Sequence, residues 1–278
     1  MAFIDNQLIR FKKLIENSII TSGLEGKTSV IRSSHLINLI HDAVKYELIN
    51  ARVFADNIYP QFGNSSPEIK IAGFLKQKDQ DICVVPSNIL KAGTDIDWGP
   101  LKFLNKRDEY GFDYSNNMLV INVRSQMSSL AKNADTLFER TFAEALNLHM
   151  RYRNMVLGEV YLIPVFEYDD SVIKNKKVGF KVHSTNLERY ISFFDSINNR
   201  PDNGEEYMYE RCALLIVDFN RKIPKLYRNS QELKEDQLIS PDFHIEYANL
   251  SFDTFAEDIL SIYRQRFDIS NIMDDISR

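Results

Sequence analysis

Cysteine is scarce in this chain of 278 residues: there are two, Cys83 and Cys212. Neither belongs to a C-x-x-C pair, which removes the usual pattern of a structural zinc site. Both lie in apolar, strand-like runs and read as buried, reduced thiols. Glycine (10) and proline (8) are also few, and 44% of the residues are hydrophobic. That composition excludes a disordered chain and describes a packed globular one. No apolar run approaches the roughly 20 residues that a membrane helix needs. The opening Met1-Ala2-Phe3-Ile4-Asp5 lacks a basic stretch followed by an apolar core. No signal peptide is therefore expected, and a cytoplasmic location is the default. An excess of basic charge is missing too. The net charge of −5 weighs against a nucleic-acid partner, although a local basic cleft can coexist with an acidic exterior. There is no internal repeat and no low-complexity tract.

What the sequence does contain is an alternation of helical and strand-like patterns. Residues 5–17 place Leu8, Ile9, Phe11, Leu14 and Ile15 at helical spacing. Ser33-Ser34 reads as the cap of a stronger helix, whose apolar stripe runs from Leu36 to Ile49. After a loop rich in Asn, Pro, Gly and Ser, Glu68–Lys76 reads as a strand, Gln77–Gln80 as a polar turn and Asp81–Val85 as the second strand of a hairpin. Residues 86–117 are irregular. Met118–Arg124 is a strand, a helix starts near Asn133 or Asp135 and runs to about Tyr152, and 158–166 is an almost continuously apolar run suited to a strand covered on both faces. A helix over 186–198, a strand over 211–219 and a helix near 252–266 complete the order. The expected fold class is α/β, with a central mixed β-sheet flanked by helices. The chain reads as a single domain over 1–278, with a core at about 35–220 and the N-terminal helix and C-terminal helical segment as additions.

Three polar residues interrupt these apolar strands. Asp81 opens one strand. Asn122 and Arg124 sit two apart on another, so their side chains leave the same face. An acid beside a polar-x-basic pair suits a metal-dependent phosphodiester site. The acid and the amide oxygen could hold a divalent ion, and the cation could orient phosphate. Ser125, Gln126, Ser128, Ser129, Lys132 and Asn133 follow directly and are rich in donors for phosphate oxygens; a solvated loop explains them almost as well. Lys174–Lys177 and Arg221–Arg228 could reach a nucleic-acid backbone or form charged surface. His41 and His149 read as surface or core histidines, and Asp169-Asp170 as a solvated strand end.

This order of elements and these residues resemble the PD-(D/E)XK nuclease fold, and type II restriction endonucleases in particular. In that family an acid starts the second core strand, an acid-x-Lys pair stands on the third, and a helix and a further strand follow. The resemblance covers about residues 35–167. It implies a restriction-endonuclease-like core with Asp81 as the acid, Asn122-Val123-Arg124 in place of the pair, and Glu47 as a further acid from the helix before the hairpin. It also implies Mg²⁺ held by Asp81 and Asn122, double-stranded DNA as substrate and a homodimer. The chain departs from the family where Asn122 replaces an acid and Arg124 replaces Lys. Asn still offers a carbonyl oxygen, while Arg stays protonated and suits a phosphate clamp better than a proton acceptor. The substitution fits a natural variant site, an engineered Asp→Asn change, or a DNA-binding member that no longer cleaves. Glu68-Ile69-Lys70 is a rival acid-x-Lys triplet, but it precedes Asp81 and so breaks the family order.

Overall fold

A computed structural model describes residues 2–274. The chain begins with two helices, α1 (Phe3–Arg32) and α2 (Ser34–Asn50). The 5–17 pattern thus marks only half of a helix of 30 residues. The second half follows a break at Gly23, whose backbone (φ 60°, ψ −135°) is one that other residues rarely adopt. Strand β1 (Ile58–Tyr59) comes next, then β2 (Ile69–Ala72), β3 (Gln77–Gln80) and β4 (Ile82–Val84). Residues 86–117 hold a small ribbon (Thr94–Asp95 with Arg107–Asp108) and two short helices. Strand β5 (Leu119–Ser125) leads into α3 (Leu130–His149), β6 (Val156–Pro164), α4 (Leu187–Ser196), β7 (Arg211–Asp218), β8 (Lys225–Leu226) and α5 (Phe255–Arg266).

Six strands form one mixed sheet in the order β1-β4-β5-β6-β7-β8. Strands β5, β6 and β7 are parallel, and β1, β4 and β8 run antiparallel to their neighbours. All nine residues of β6 and all eight of β7 are buried. Strands covered on both faces read as apolar runs, which is why they stand out in the sequence. One face packs on α1, α2 and α5 through Phe11, Ile40, Ile121, Val160 and Ile259; the other packs on α3 and α4 through Val120, Ala145, Leu157, Tyr161 and Phe194. The N-terminal helix is therefore part of the main core, with Ile4, Leu8, Phe11, Ile15 and Ile19 each at most 1% exposed.

The hairpin differs from its expected form. Gln77–Gln80 is not the turn but the second strand: it pairs with β2 (Ile69↔Gln80, Ala72↔Gln77) as a separate two-stranded ribbon. The turn is Gly73–Lys76, closed by the Gly73 N–H donating to Lys76 O. The side chain of Asn147 on α3 accepts from the N–H groups of Leu75 and Lys76. A Cβ at Gly73 would come within 2.1 Å of the Asn147 side chain, so this close approach needs glycine. Polar residues serve as strand because the ribbon lies outside the central sheet. At Asp81 the chain leaves the ribbon and enters the main sheet as β4.

A buried ionic cluster ties the base of β7 to its surroundings. Glu210 accepts from Leu157 N (2.7 Å), Arg200 Nη1 (3.1 Å) and Arg266 Nη1 (2.7 Å), and His149 Nε2 lies 3.3 Å away. Burial raises its pKa, but the hydrogen bond from His149 and the nearby cations win and hold the carboxyl at about 2, against an ordinary value of 4.5. For a depressed acid the stabilisation is present above the unfolded value. It is lost as pH falls from about 4.5 to about 2, and amounts to about 3 kcal/mol. Glu210→Gln should cost about 3 kcal/mol at pH 7 and flatten this acid limb. Urea unfolding at pH 7 and in the acid range measures both effects.

Candidate active site

A cleft of about 690 Å³ opens over the C-terminal end of β5, where ligands commonly sit in open α/β sheets. Its walls are the α1–α2 junction (Ile31, Arg32, Ser33, Ser34, Ile37) and the first half of α3 (Asn133, Thr136, Leu137, Arg140); its floor is Val123–Gln126 with Asp81, Lys78 and Tyr161. Four cations, Arg32, Lys78, Arg124 and Arg140, face one carboxylate, that of Asp81. The acidic chain thus carries a local basic cleft suited to anionic ligands.

The sheet register explains why these residues meet. Ile82 pairs with Ile121, and continuing that antiparallel ladder by one residue sets Asp81 opposite Asn122. Asn122 in turn pairs with Glu159 on β6, and Glu159 with Cys212 on β7. Cross-strand partners share a face, so Asp81, Asn122 and Glu159 form a row under α3. Arg124, two residues beyond Asn122, lies on the same face. Asp81 Oδ2 accepts from the Val123 N–H at 2.8 Å, which fixes its carboxylate at the mouth of the row.

Arg124 organises the charges beneath the floor. Its Nη1 donates to Thr141 Oγ1 (3.2 Å), its Nη2 lies 3.7 Å from Glu144 Oε2, and its Nε lies 3.5 Å from Glu159 Oε1. Burial works against its charge, but Glu159, Tyr209, Glu144 and Asp81 outweigh burial and hold it firmly protonated. Glu144 also pairs with Lys78 and, at 3.6 Å, with Lys76. Burial alone would raise its pKa; Lys78 and Arg124 lower it below the ordinary range. Glu159 is fully buried, and burial pushes its carboxyl up to about 7 in spite of Arg124. Neither Glu159 oxygen and neither amide atom of Asn122 has a hydrogen-bond partner.

The other expected residues divide. Ser125, Gln126 and Asn133 line the cleft, whereas Ser128, Ser129 and Lys132 do not. The Ser129 N–H donates to Glu167 Oε2 (2.7 Å), and Leu130 N to Glu167 Oε1 (3.3 Å), so the start of α3 already has its anion. Glu47 is not brought to Asp81. Burial first, then Asp253, raises its pKa, and Arg228 opposes them. From the same helix it is His41 that meets the site. Burial lowers its pKa while Asp81 pulls it back up, and its buried Nε2 has no partner. Of the rival pair, Glu68 lies near enough for Asp81 to add to the upward shift that burial gives it. Lys70 instead faces Asp79 at 3.6 Å, with both side chains about half exposed.

Glu144, Glu159, Arg32 and Arg140 were not anticipated. Glu159 is the single acid in the run Val156–Pro164, the same kind of interruption that marks Asp81. Glu144 falls among Thr141, Ala145 and Leu148 on the buried face of α3. Among the described residues no three His, Cys, Asp or Glu side chains form a group able to hold a metal. The donor set in this row is two carboxylates and an amide oxygen, an all-oxygen set that fits a hard divalent cation. Family models, curated proteins and solved structures offer no match to the chain.

Removing Arg124 would leave Glu144 and Glu159 without their shared cation. Arg124→Met should lower stability by about 3–5 kcal/mol at pH 8. Adding Glu159→Gln should restore part of the loss, because one uncompensated carboxylate is gone. Denaturant titrations of both variants test this coupling.

Proposed function

We propose that the protein is a type II restriction endonuclease that hydrolyses phosphodiester bonds of double-stranded DNA at a specific sequence with Mg²⁺, built on a restriction-endonuclease-like core. The observation that carries the reading is Asp81, the one acid in a cleft with four cations, set beside Asn122 and Arg124 by an antiparallel pair of strands. The path β4, β5, α3, then β6 parallel to β5 supports the same reading, since it is the order the family resemblance implies.

In this reading Asp81, through the oxygen not engaged by Val123, and Asn122 would hold Mg²⁺. When bound, the ion supplies charge stabilisation at the phosphate and lowers the pKa of water. Arg124, always charged, donates to phosphate oxygens and offsets the negative charge that develops there. Lys78 adds a second cation on the same floor, while Arg32 and Arg140 hold flanking phosphates from the two walls. Ser125, Gln126 and Asn133 extend this set of donors along the cleft. A symmetric DNA site favours a C2 homodimer, which brings two such clefts to the two strands.

A second reading, a DNA-binding member of this fold that does not cleave, is favoured by Asn122 and Arg124 standing where the family has an acid and a lysine. Incubation of mixed-sequence DNA with Mg²⁺ or Mn²⁺, followed by sequencing of the ends, separates the two. The expected result is discrete ends for the wild type and none for Asp81→Ala, which should still bind DNA. In the same assay Asn122→Asp, nearly isosteric, should raise cleavage about tenfold, equivalent to roughly 1.4 kcal/mol of barrier. DNA retained but intact under all conditions supports the silent member. Cleavage by Asp81→Ala at the wild-type rate contradicts the site.

A further inference from the structure

Below the cleft floor lies a place where four polar atoms of two fully buried side chains have no hydrogen-bond partner. Asn122 and Glu159 are both 0% exposed, and they are cross-strand neighbours on β5 and β6. Neither the amide nor the carboxylate makes a hydrogen bond. Arg124 Nε approaches Glu159 Oε1 only to 3.5 Å, with Nη1 already given to Thr141. Leaving a buried polar group without a hydrogen bond is costly, and a charged one more so. Two such groups on neighbouring strands, in an otherwise well-packed sheet, point to a partner that the protein itself does not provide.

The donors identify its chemistry. Asp81 completes the row on β4 and has spent only one oxygen, on the Val123 N–H. Two carboxylates and an amide oxygen are hard ligands, suited to Mg²⁺, Mn²⁺ or Ca²⁺. Cys212, next in the row, is a buried thiol.

We propose that Glu159 is a third protein ligand of a divalent cation, joining Asp81 and Asn122 from the strand on the far side of β5. This inference rests on the nuclease reading, because it assigns a ligand to the same metal. It goes beyond that reading by adding a ligand from β6 to the two that the ends of β4 and β5 supply. Arg124 then lies alongside the ion's ligands and links them to Glu144 and Lys78.

The test uses the full chain and Mn²⁺ without DNA. Mn²⁺ binding is followed by electron paramagnetic resonance and by the rise in melting temperature. The wild type should bind, and Glu159→Gln should weaken binding at least tenfold, as should Asp81→Asn. Equal affinity in Glu159→Gln and wild type, with binding weakened in Asp81→Asn, overturns the role of Glu159 and leaves the nuclease reading intact. No Mn²⁺ binding by the wild type overturns both metal assignments. Should Glu159→Gln not fold, wild-type crystals soaked in Mn²⁺ decide the question. An anomalous peak within coordination distance of a Glu159 oxygen supports the assignment, and a peak on Asp81 alone, or none, overturns it.

Discussion

Arg124 is the charge around which the site is arranged. It comes from a central strand, its side chain is 18% exposed, and it stands between two buried carboxylates, Glu144, which it shares with Lys78, and Glu159, for which it is the nearest cation. A guanidinium suits this position because its planar fork offers several donors in fixed directions and stays protonated under strong desolvation. Thr141 takes one of those donors and fixes the side chain against α3. Glu144 passes the constraint on to Lys78 and Lys76 of the ribbon. The ribbon's position in turn determines where Asp81 enters the sheet. Strand, helix, ribbon and acid are thus coupled through one buried cation.

The coupling bears on function because burial of charge opposes stability. Replacing a buried ion pair with apolar residues is often neutral or stabilising. Here three carboxylates, an arginine, a lysine and an amide crowd the junction of β4, β5, β6 and α3. Glu159 shows the cost most clearly, since burial overrides Arg124 and leaves its carboxyl with a raised pKa. The Glu210 cluster differs in kind: its carboxylate is satisfied by a backbone N–H and by two arginines. In that cluster both carboxylate oxygens are paired, and the unpartnered atom is a donor, Arg200 Nη2. The other leaves both oxygens of a buried carboxylate and both polar atoms of an amide without hydrogen bonds, below an open basic cleft.

The sequence made part of this legible. Asp81 and Arg124 stand out as polar residues in apolar strands, and the α/β class with a mixed sheet follows from the alternation of periods. Glu159 carried the same signal, but the apolar mass of its run hid it. Glu47 looked suitable because the family resemblance expects a further acid from the helix before the hairpin, yet helical rotation turns it toward Asp253 and Arg228 while His41 lies near Asp81. The hairpin was misplaced because Gln77–Gln80 is polar, and only an edge ribbon outside the core lets such residues be strand. Arg32 and Arg140 could not be read at all. They reach one cleft only because helices from opposite faces of the sheet end beside β5, a tertiary fact with no local sequence mark.

Hydrogen exchange with and without duplex DNA tests most directly whether the cleft over β5 is where nucleic acid binds. The nuclease account predicts protection of residues 31–37, 123–126 and 133–140 in the presence of DNA, diminished as salt rises because phosphate contacts release counterions. Unchanged exchange in all three segments, with protection confined to another surface, would contradict it.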